Sequence, residues 1–379
     1  MKYKFQDIIE EIKEYNSDLK YGLEDIVGVT IEKGLIPTVA NLSQTNLEKF
    51  YIIKKDTFIY NPRTHGVRLG MGFNESDKIY ITSWNNIAFR VKDNDVVLPK
   101  YLWLYFIRPE WDRHANYLAW GSSTIVFAWK DFLNVSIDLP SIEEQRRIVS
   151  EYQTVESRIK NNEAMIQKLE ETAQAIYHHT FVEGIDENNL PEGWRKCKAD
   201  ELFNITIGKT PPRENPENFT NPNNGVKWVS IADMKHTSPF ILDTEEGLTE
   251  DAIKLNNVKV IEPLSVLYSF KMTVGRVSIT KDYLTTNEAI AHFNYVEDFY
   301  PYIYYYLCNI DINSLGSTSS ITLAVNSKII KSMEIIVPTY TKLSEFNKKV
   351  KILLDYQFQL QRETSHLRTL LSLLTSKLS

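Results

Sequence analysis

Val135-Ser136-Ile137-Asp138-Leu139-Pro140 leads into a long segment where Ile148, Tyr152, Val155, Ile159, Asn162, Ile166, Leu169, Ala173 and Ile176 recur at alternating spacings of four and three. This stretch decides the fold, because it occurs twice. Met333-Glu334-Ile335-Ile336-Val337-Pro338 leads into Phe346, Val350, Leu353, Gln357, Leu360, Thr364, Leu367, Leu371, Leu374 and Leu378. From each proline onward the two copies are offset by 198 residues with no gap. Alternating polar and apolar residues read as a strand, and heptad spacing free of glycine and proline reads as a helix built to pair. A repeat of this order means two structural units built on one plan.

Working outward, each strand is preceded by a Gly-Ser tract, Gly121-Ser122-Ser123-Thr124 and Gly316-Ser317-Thr318-Ser319-Ser320. More loosely, Val29-Thr30-Ile31-Glu32-Lys33 resembles Ile205-Thr206-Ile207-Gly208-Lys209. Gly, Pro and Asn cluster over residues 183–193, where the first helix must stop. The expected layout is a domain over 1–140, a helix over 141–184, a second domain over 185–338 and a second helix over 339–379. Inside the domains, residues 51–53, 58–60, 258–261 and 266–270 read as strands, and residues 101–106 and 301–307 as short buried helices. The fold class is therefore α/β, in the mixed α+β sense. The two long helices are expected to pair antiparallel as a coiled coil. Each seam carries one amide, so the expected register sets Asn162 opposite Gln357, with Ile159 facing Leu360 and Ala173 facing Phe346, because a buried amide without a partner costs about 1–3 kcal/mol.

Hydrophobic residues make up 43% of the 379, enough for each half to bury a core. No run approaches the roughly 18 apolar residues of a membrane span, and the beginning, Met1-Lys2-Tyr3-Lys4 turning acidic at Glu10-Glu11, lacks the apolar stretch of a secretory signal. Two cysteines, Cys197 and Cys308, build neither a disulfide framework nor a cysteine zinc site, which fits a cytoplasmic location. The net charge is −6, with 17 basic against 18 acidic residues over 1–140 and 14 against 20 over 185–340. Charge alone points to no polyanionic partner.

Catalytic signatures fail on inspection. Gly208-Lys209-Thr210 looks like the end of a phosphate-binding loop, but Phe203 stands where that loop needs its first glycine. Gly70-Met71-Gly72 has no dinucleotide fingerprint around it. Asp233-Met234-Lys235 matches only the tail of a nuclease motif, and a metal-dependent nuclease needs at least two carboxylates on one metal. Neither Asn61-Pro62-Arg63 nor Asn221-Pro222-Asn223 supplies the Asn-Pro-Pro-aromatic motif of adenine methyltransferases. His178-His179, at the end of the first helix, reads as a solvated terminus.

Residues suited to reading DNA are present. In the first half, Asn61, Arg63, Thr64 and Arg68 lie on a loop held by proline and glycine, and Trp120, Ser122, Ser123 and Thr124 form an aromatic-hydroxyl tract. In the second half, Lys209, Thr210 and Arg213 form one cluster, Ser269, Lys271, Thr273 and Arg276 follow a strand, and Ser317 and Ser319 sit in the second Gly-Ser tract. Arginine pairs bidentately with guanine and asparagine with adenine, while hydroxyls and lysines suit phosphates.

The same residues carry a family resemblance. Trp228-Val229-Ser230-Ile231-Ala232-Asp233-Met234, the run from Leu267 to Val277, and Thr286-Asn287-Glu288-Ala289-Ile290 resemble target-recognition domains of type I restriction-modification specificity subunits. Tyr60-Asn61-Pro62 is similar to the first such domain, and Ser141-Ile142-Glu143-Glu144-Gln145-Arg146-Arg147-Ile148 to the start of the family's central helix. The chain departs from the pattern in its segment up to about Lys20 and in Lys342-Leu343-Ser344, which replaces a second Glu-Gln-Arg. The resemblance implies a non-catalytic subunit whose two target-recognition domains read a bipartite sequence in double-stranded DNA. It implies two methyltransferase subunits and restriction/translocase subunits as partners and no membrane, with S-adenosylmethionine, ATP and magnesium on the partners and none in this chain. The alternatives are a stand-alone DNA nuclease or methyltransferase, and a coiled-coil scaffold with no DNA role.

Overall fold

The computed structural model describes all residues except 39–44, 65–67, 120–124, 236–237, 295–298, 313–324, 377 and 379. The chain forms two compact units, Met1–Arg158 with Leu367–Ser379, and Ile159–His366.

The first unit is built on a four-stranded antiparallel sheet in the order Ile9–Glu11, Ile87–Val91, Thr57–Tyr60, Met71–Asn74. The register sets Phe89 beside Phe58 and Phe58 beside Phe73. These rings stack, with centroids 4.9 and 4.5 Å apart, and cross-strand aromatic pairs of this kind stabilise a sheet beyond their area. Phe5, Phe106, Trp111 and Phe132 complete an aromatic core in which each is buried. Helices Pro99–Phe106 and Pro109–Leu118 both begin with proline, whose fixed φ and missing N–H suit a first helical turn.

The segment before Lys20, unplaced from the sequence, opens this domain. Strand Lys2–Lys4 pairs antiparallel with Ser136–Asp138, and strand Ile9–Glu11 edges the main sheet. The second unit repeats this. Arg195–Lys198 pairs with Glu334–Val337, and the main sheet runs Ile205–Ile207, Ile290–Phe293, Val266–Ser269, Val277–Ile279. The counterpart of Ile205–Ile207 is therefore Ile9–Glu11, and the expected match with Val29–Lys33 is wrong. Short loose motifs align by chance, whereas position in a sheet is fixed by hydrogen bonding. Residues 258–260 are likewise no strand; Ile261 alone forms a bridge, to Leu284. A smaller sheet, Phe219–Thr220, Glu246–Leu248, Val226–Val229, Thr285–Thr286, belongs to the second unit.

The long helices span Ile142–Phe181 and Tyr340–Ser376. At the start of the first, Gln145 is fully buried and its amide grips the first domain's backbone. Its Nε2 donates to the carbonyls of Val96 and Pro140, and its Oε1 accepts from the Leu98 N–H. The equivalent position of the second helix is Leu343, buried in an apolar core.

Within the second unit the helices pair antiparallel, as expected, but in a different register. Asn162 donates to the Glu363 carboxylate at 3.0 Å, and Gln357 donates to Glu170 at 3.3 Å. Asn162 and Gln357 are thus not partners, and the helices are slipped by one heptad from the expected pairing. Two forces decide this. Bonds from the amides to carboxylates are stronger than an amide-amide pair. In addition, Phe346 packs 4.9 Å from Phe181 and 6.1 Å from Tyr177, which pulls it past Ala173. The slip leaves Gln357 Oε1 and the Thr364 hydroxyl buried without a partner.

Candidate nucleic-acid interface

In the first domain the loop 61–68 leaves the buried strand Thr57–Tyr60 and is closed at its base. The Asn61 N–H donates to the Gly70 carbonyl at 2.9 Å. The Asn61 side chain turns back to accept the Arg63 N–H at 3.0 Å, as short polar side chains do in tight turns. Arg63 and Thr64 form a short strand against Ile125–Val126. Arg63 points into solvent, whereas Thr64 is buried and donates to Asn116 at 3.2 Å. Thr64 is therefore part of the support of the loop and not of its surface. Arg68 is exposed.

Sequence reasoning missed the anchor of this loop. Lys33 and Asp112 form an ion pair of 2.6 Å with side-chain exposures of 7% and 11%. Lys33 also donates to the Leu69 carbonyl at 2.6 Å, while Asp112 accepts the Leu69 N–H at 3.2 Å. Both backbone groups of Leu69 are gripped by one buried pair, one residue beyond Arg68. Desolvation draws the Lys33 ammonium below its ordinary pKa, with Asp112 opposing the shift. No sequence pattern joins residues 33 and 112, so only their meeting in space reveals the clamp.

In the second domain the loop 270–276 joins strands Val266–Ser269 and Val277–Ile279. Ser269 is fully buried and holds the loop from below. Its hydroxyl donates to the Thr273 carbonyl at 2.6 Å and accepts the Arg276 N–H at 2.9 Å, and its carbonyl accepts from Gly275. As with Thr64, a hydroxyl expected to touch DNA is a brace. Gly275 has φ +95°, a conformation open to glycine. Lys271 and Thr273 are exposed, and the half-buried Arg276 donates to the Ile231 carbonyl.

The Lys209–Thr210 segment lies beside the Thr286–Glu288 turn. The Lys209 N–H bonds the Thr286 carbonyl at 2.9 Å, and the Thr210 hydroxyl bonds Glu288. The Thr210 hydroxyl above all, then a backbone N–H and the Lys271 charge, hold the Glu288 carboxyl below its usual range against the opposing effect of burial. A Cβ on Gly208 would sit 2.0 Å from both the Asn287 carbonyl oxygen and Thr286 Oγ1. That glycine serves close packing, which explains the phosphate-loop likeness without a phosphate. Lys209 Nζ reaches the Asn256 carbonyl at 2.6 Å.

Behind the turn, His292 is fully buried between Thr206, 2.9 Å from Nδ1, and Thr286, 2.6 Å from Nε2. Burial lowers its pKa to about 3, so it is neutral. Arg213 is linked to the Lys209 segment through Trp228, whose indole N–H donates to the Lys209 carbonyl at 3.4 Å. Arg213 makes two bonds to Glu246, of 2.8 and 2.7 Å, and stacks 4.1 Å from the Phe219 ring centroid and 5.0 Å from that of Trp228. Glu246 raises its pKa further. Trp120, Ser122, Ser123, Thr124, Ser317 and Ser319 lie outside the described residues.

Asp233 is a turn residue. One oxygen accepts from the Ser230 N–H and hydroxyl, and the other from the Glu245 N–H. Among the described residues no cluster of three or more His, Cys, Asp or Glu is placed to hold a metal, and no helix is long and apolar enough to cross a membrane.

Two α+β domains with the same order of main-sheet strands, each carrying a cation-bearing loop beside that sheet and each followed in the chain by a long helix, define a protein built as a tandem repeat. The family model described as "Type I restriction modification DNA specificity domain" matches residues 9–171 and again 191–365, and the chain belongs to that family. Sequence-specific DNA recognition within a type I restriction-modification system is the function that membership carries. The chain is 23% identical over 409 residues to the type I restriction enzyme HindI specificity subunit of Haemophilus influenzae, covering 86% of each. It is 23% identical over 241 residues to the putative type I restriction enzyme MjaX specificity subunit of Methanocaldococcus jannaschii, covering 59% of this chain and 53% of that one. Its fold is like that of the S subunit of a type I restriction-modification system from M. genitalium, with TM-score 0.59 and 15% identity over 100% of this chain and 95% of that one.

Proposed function

We propose that each domain reads one half of a bipartite target in double-stranded DNA and that the chain itself carries out no chemistry. The observation that carries this reading is the repeated sheet with a braced, cation-bearing loop in each copy. In the first domain the contacts fall to Asn61, Arg63 and Arg68, and in the second to Lys209, Arg213, Lys271, Thr273 and Arg276. Arginines reach base edges, and lysines and hydroxyls set the register on phosphates. The paired helices set the spacing between half-sites and offer surfaces to two methyltransferase subunits, with restriction/translocase subunits completing the assembly in the cytoplasm. S-adenosylmethionine, ATP and magnesium are then used by those partners. Asp233, with both oxygens committed to backbone and serine donors, supports this division of labour against a nuclease of its own.

Domain exchange tests the reading. Residues 190–338 replaced by the equivalent region of a relative change one half-site of the methylated sequence and leave the other intact, as read by methylation mapping of a host genome. A change in both halves, or in neither, overturns it.

A further inference from the structure

We propose that Met272 is a wedge that enters a base step of the bound duplex, so that the second domain unstacks its half-site as it reads it. This rests on the reading of loop 270–276 as a DNA contact. Met272 is 94% exposed, the most exposed large apolar side chain among the described residues. It also holds φ +60°, a left-handed conformation that residues with a Cβ seldom adopt. Exposure removes the usual reason for an apolar side chain, and the backbone conformation removes the reason for any residue but glycine or asparagine. A position that sequence and solvent both disfavour is understandable where the side chain acts on something outside the protein.

The loop is built to hold that side chain out. Ser269 ties down the Thr273 carbonyl and the Arg276 N–H on the far side of the tip. The Phe270 N–H bonds the Ala289 carbonyl at 2.9 Å on the near side. The Arg276 side chain is tied to the Ile231 carbonyl. Within the loop, the tip from Lys271 to Thr273 is exposed, and residues 274–276 are half-buried. Its chemistry alternates as a duplex does, with Lys271 and Thr273 suited to phosphates on either side and one apolar, polarisable thioether suited to the faces of bases between them. Minor-groove proteins insert side chains of this kind, methionine among them, to unstack and kink a step. A protein partner fits less well. A buried anchor in a protein interface is ringed by further apolar contacts, and both sequence neighbours of Met272 are polar.

The test uses the full chain assembled with its methyltransferase subunits. The duplexes carry the target found by methylation mapping, with 2-aminopurine placed in turn along the half-site of the second domain, away from the methylated adenine. The expected result is a several-fold fluorescence rise at one step with the wild type, kept by Met272→Leu and lost by Met272→Ala and Met272→Gly. The two truncations bind roughly tenfold more weakly, in line with the loss of one stacking contact. Met272→Gly melts at or above the wild-type temperature, because glycine accepts the positive φ; a merely structural methionine would not give loss of unstacking with gain of stability. A rise that survives in Met272→Gly overturns the wedge, as does the absence of any rise with the wild type. Truncations that release the methyltransferase subunits while DNA binding stays intact overturn it too, in favour of a protein contact. Failure of the underlying reading looks different: Lys271→Ala and Arg276→Ala would then bind target DNA as tightly as the wild type.

Discussion

The two domains share a sheet order, yet they anchor their candidate reading loops by different means. The first uses charge. The buried Lys33–Asp112 pair holds Leu69 by both backbone groups, and among the described residues no hydrogen bond or ion pair engages the side chains of Arg63 and Arg68. The second uses neutral hydrogen bonds through Ser269, Thr206, Thr286 and His292, and it engages its outer cations with its own atoms, Arg213 with Glu246 and Arg276 with Ile231. The difference shows where each loop is vulnerable. A charged anchor is strong while intact and severe when halved. A neutral network loses less at any one site, but it responds to pH through its histidine.

The largest effect is expected at the charged anchor. Asp112→Ala strands the Lys33 ammonium in a buried site, and breaking such a pair costs about 3–5 kcal/mol. Denaturant unfolding should show this loss in the first domain's transition, with much of it recovered in the double variant Lys33→Met/Asp112→Leu. A wild-type midpoint in Asp112→Ala would mean that charge does not anchor this loop.

The next effect separates cations with protein partners from those without. Arg63→Ala and Arg68→Ala should weaken target binding by about 1–3 kcal/mol each where the arginine reads a base, with unchanged melting. Arg213→Ala should weaken binding and also lower stability by on the order of 1 kcal/mol, since it removes an ion pair and two ring contacts. Titrations at two salt concentrations, alongside thermal melts, decide this. Equal melting losses for all three arginines would erase the contrast between the domains.

The smallest effect is the pH response of the second domain. His292 has a folded pKa of about 3, below the ordinary histidine value near 6.5. Between those values the unfolded chain takes up a proton that the folded chain refuses, so stability falls as pH falls from 6.5 towards 3 and is unaffected above 6.5. The slope from this group is at most about 1.4 kcal/mol per pH unit. Unfolding at pH 7, 6 and 5 should show His292→Gln with a flatter dependence than the wild type. Parallel curves would show that this histidine does not distinguish the second domain.

Sequence by itself determined what local patterns encode. The repeated strand, proline and heptad order gave the two-fold plan and the pair of long helices. The position of strands such as Thr57–Tyr60 and Val266–Ser269 fixed which loops leave the sheets, and with them Arg63, Arg68, Lys271 and Arg276. Periodicity is a property of the chain alone and survives into the fold. What the tertiary structure decided are matters of partnership. Asn162 and Gln357 each found a carboxylate in place of one another, because the aromatic packing of Phe346 against Tyr177 and Phe181 set the helices one heptad from the pairing that matched the amides. Thr64 and Ser269 turned inward, because a hydroxyl beside a tight turn bonds its own backbone sooner than it waits for a ligand. Lys33 and Asp112, far apart in the chain, became one anchor. Such outcomes depend on which groups desolvation brings together, and a linear sequence carries no record of distance.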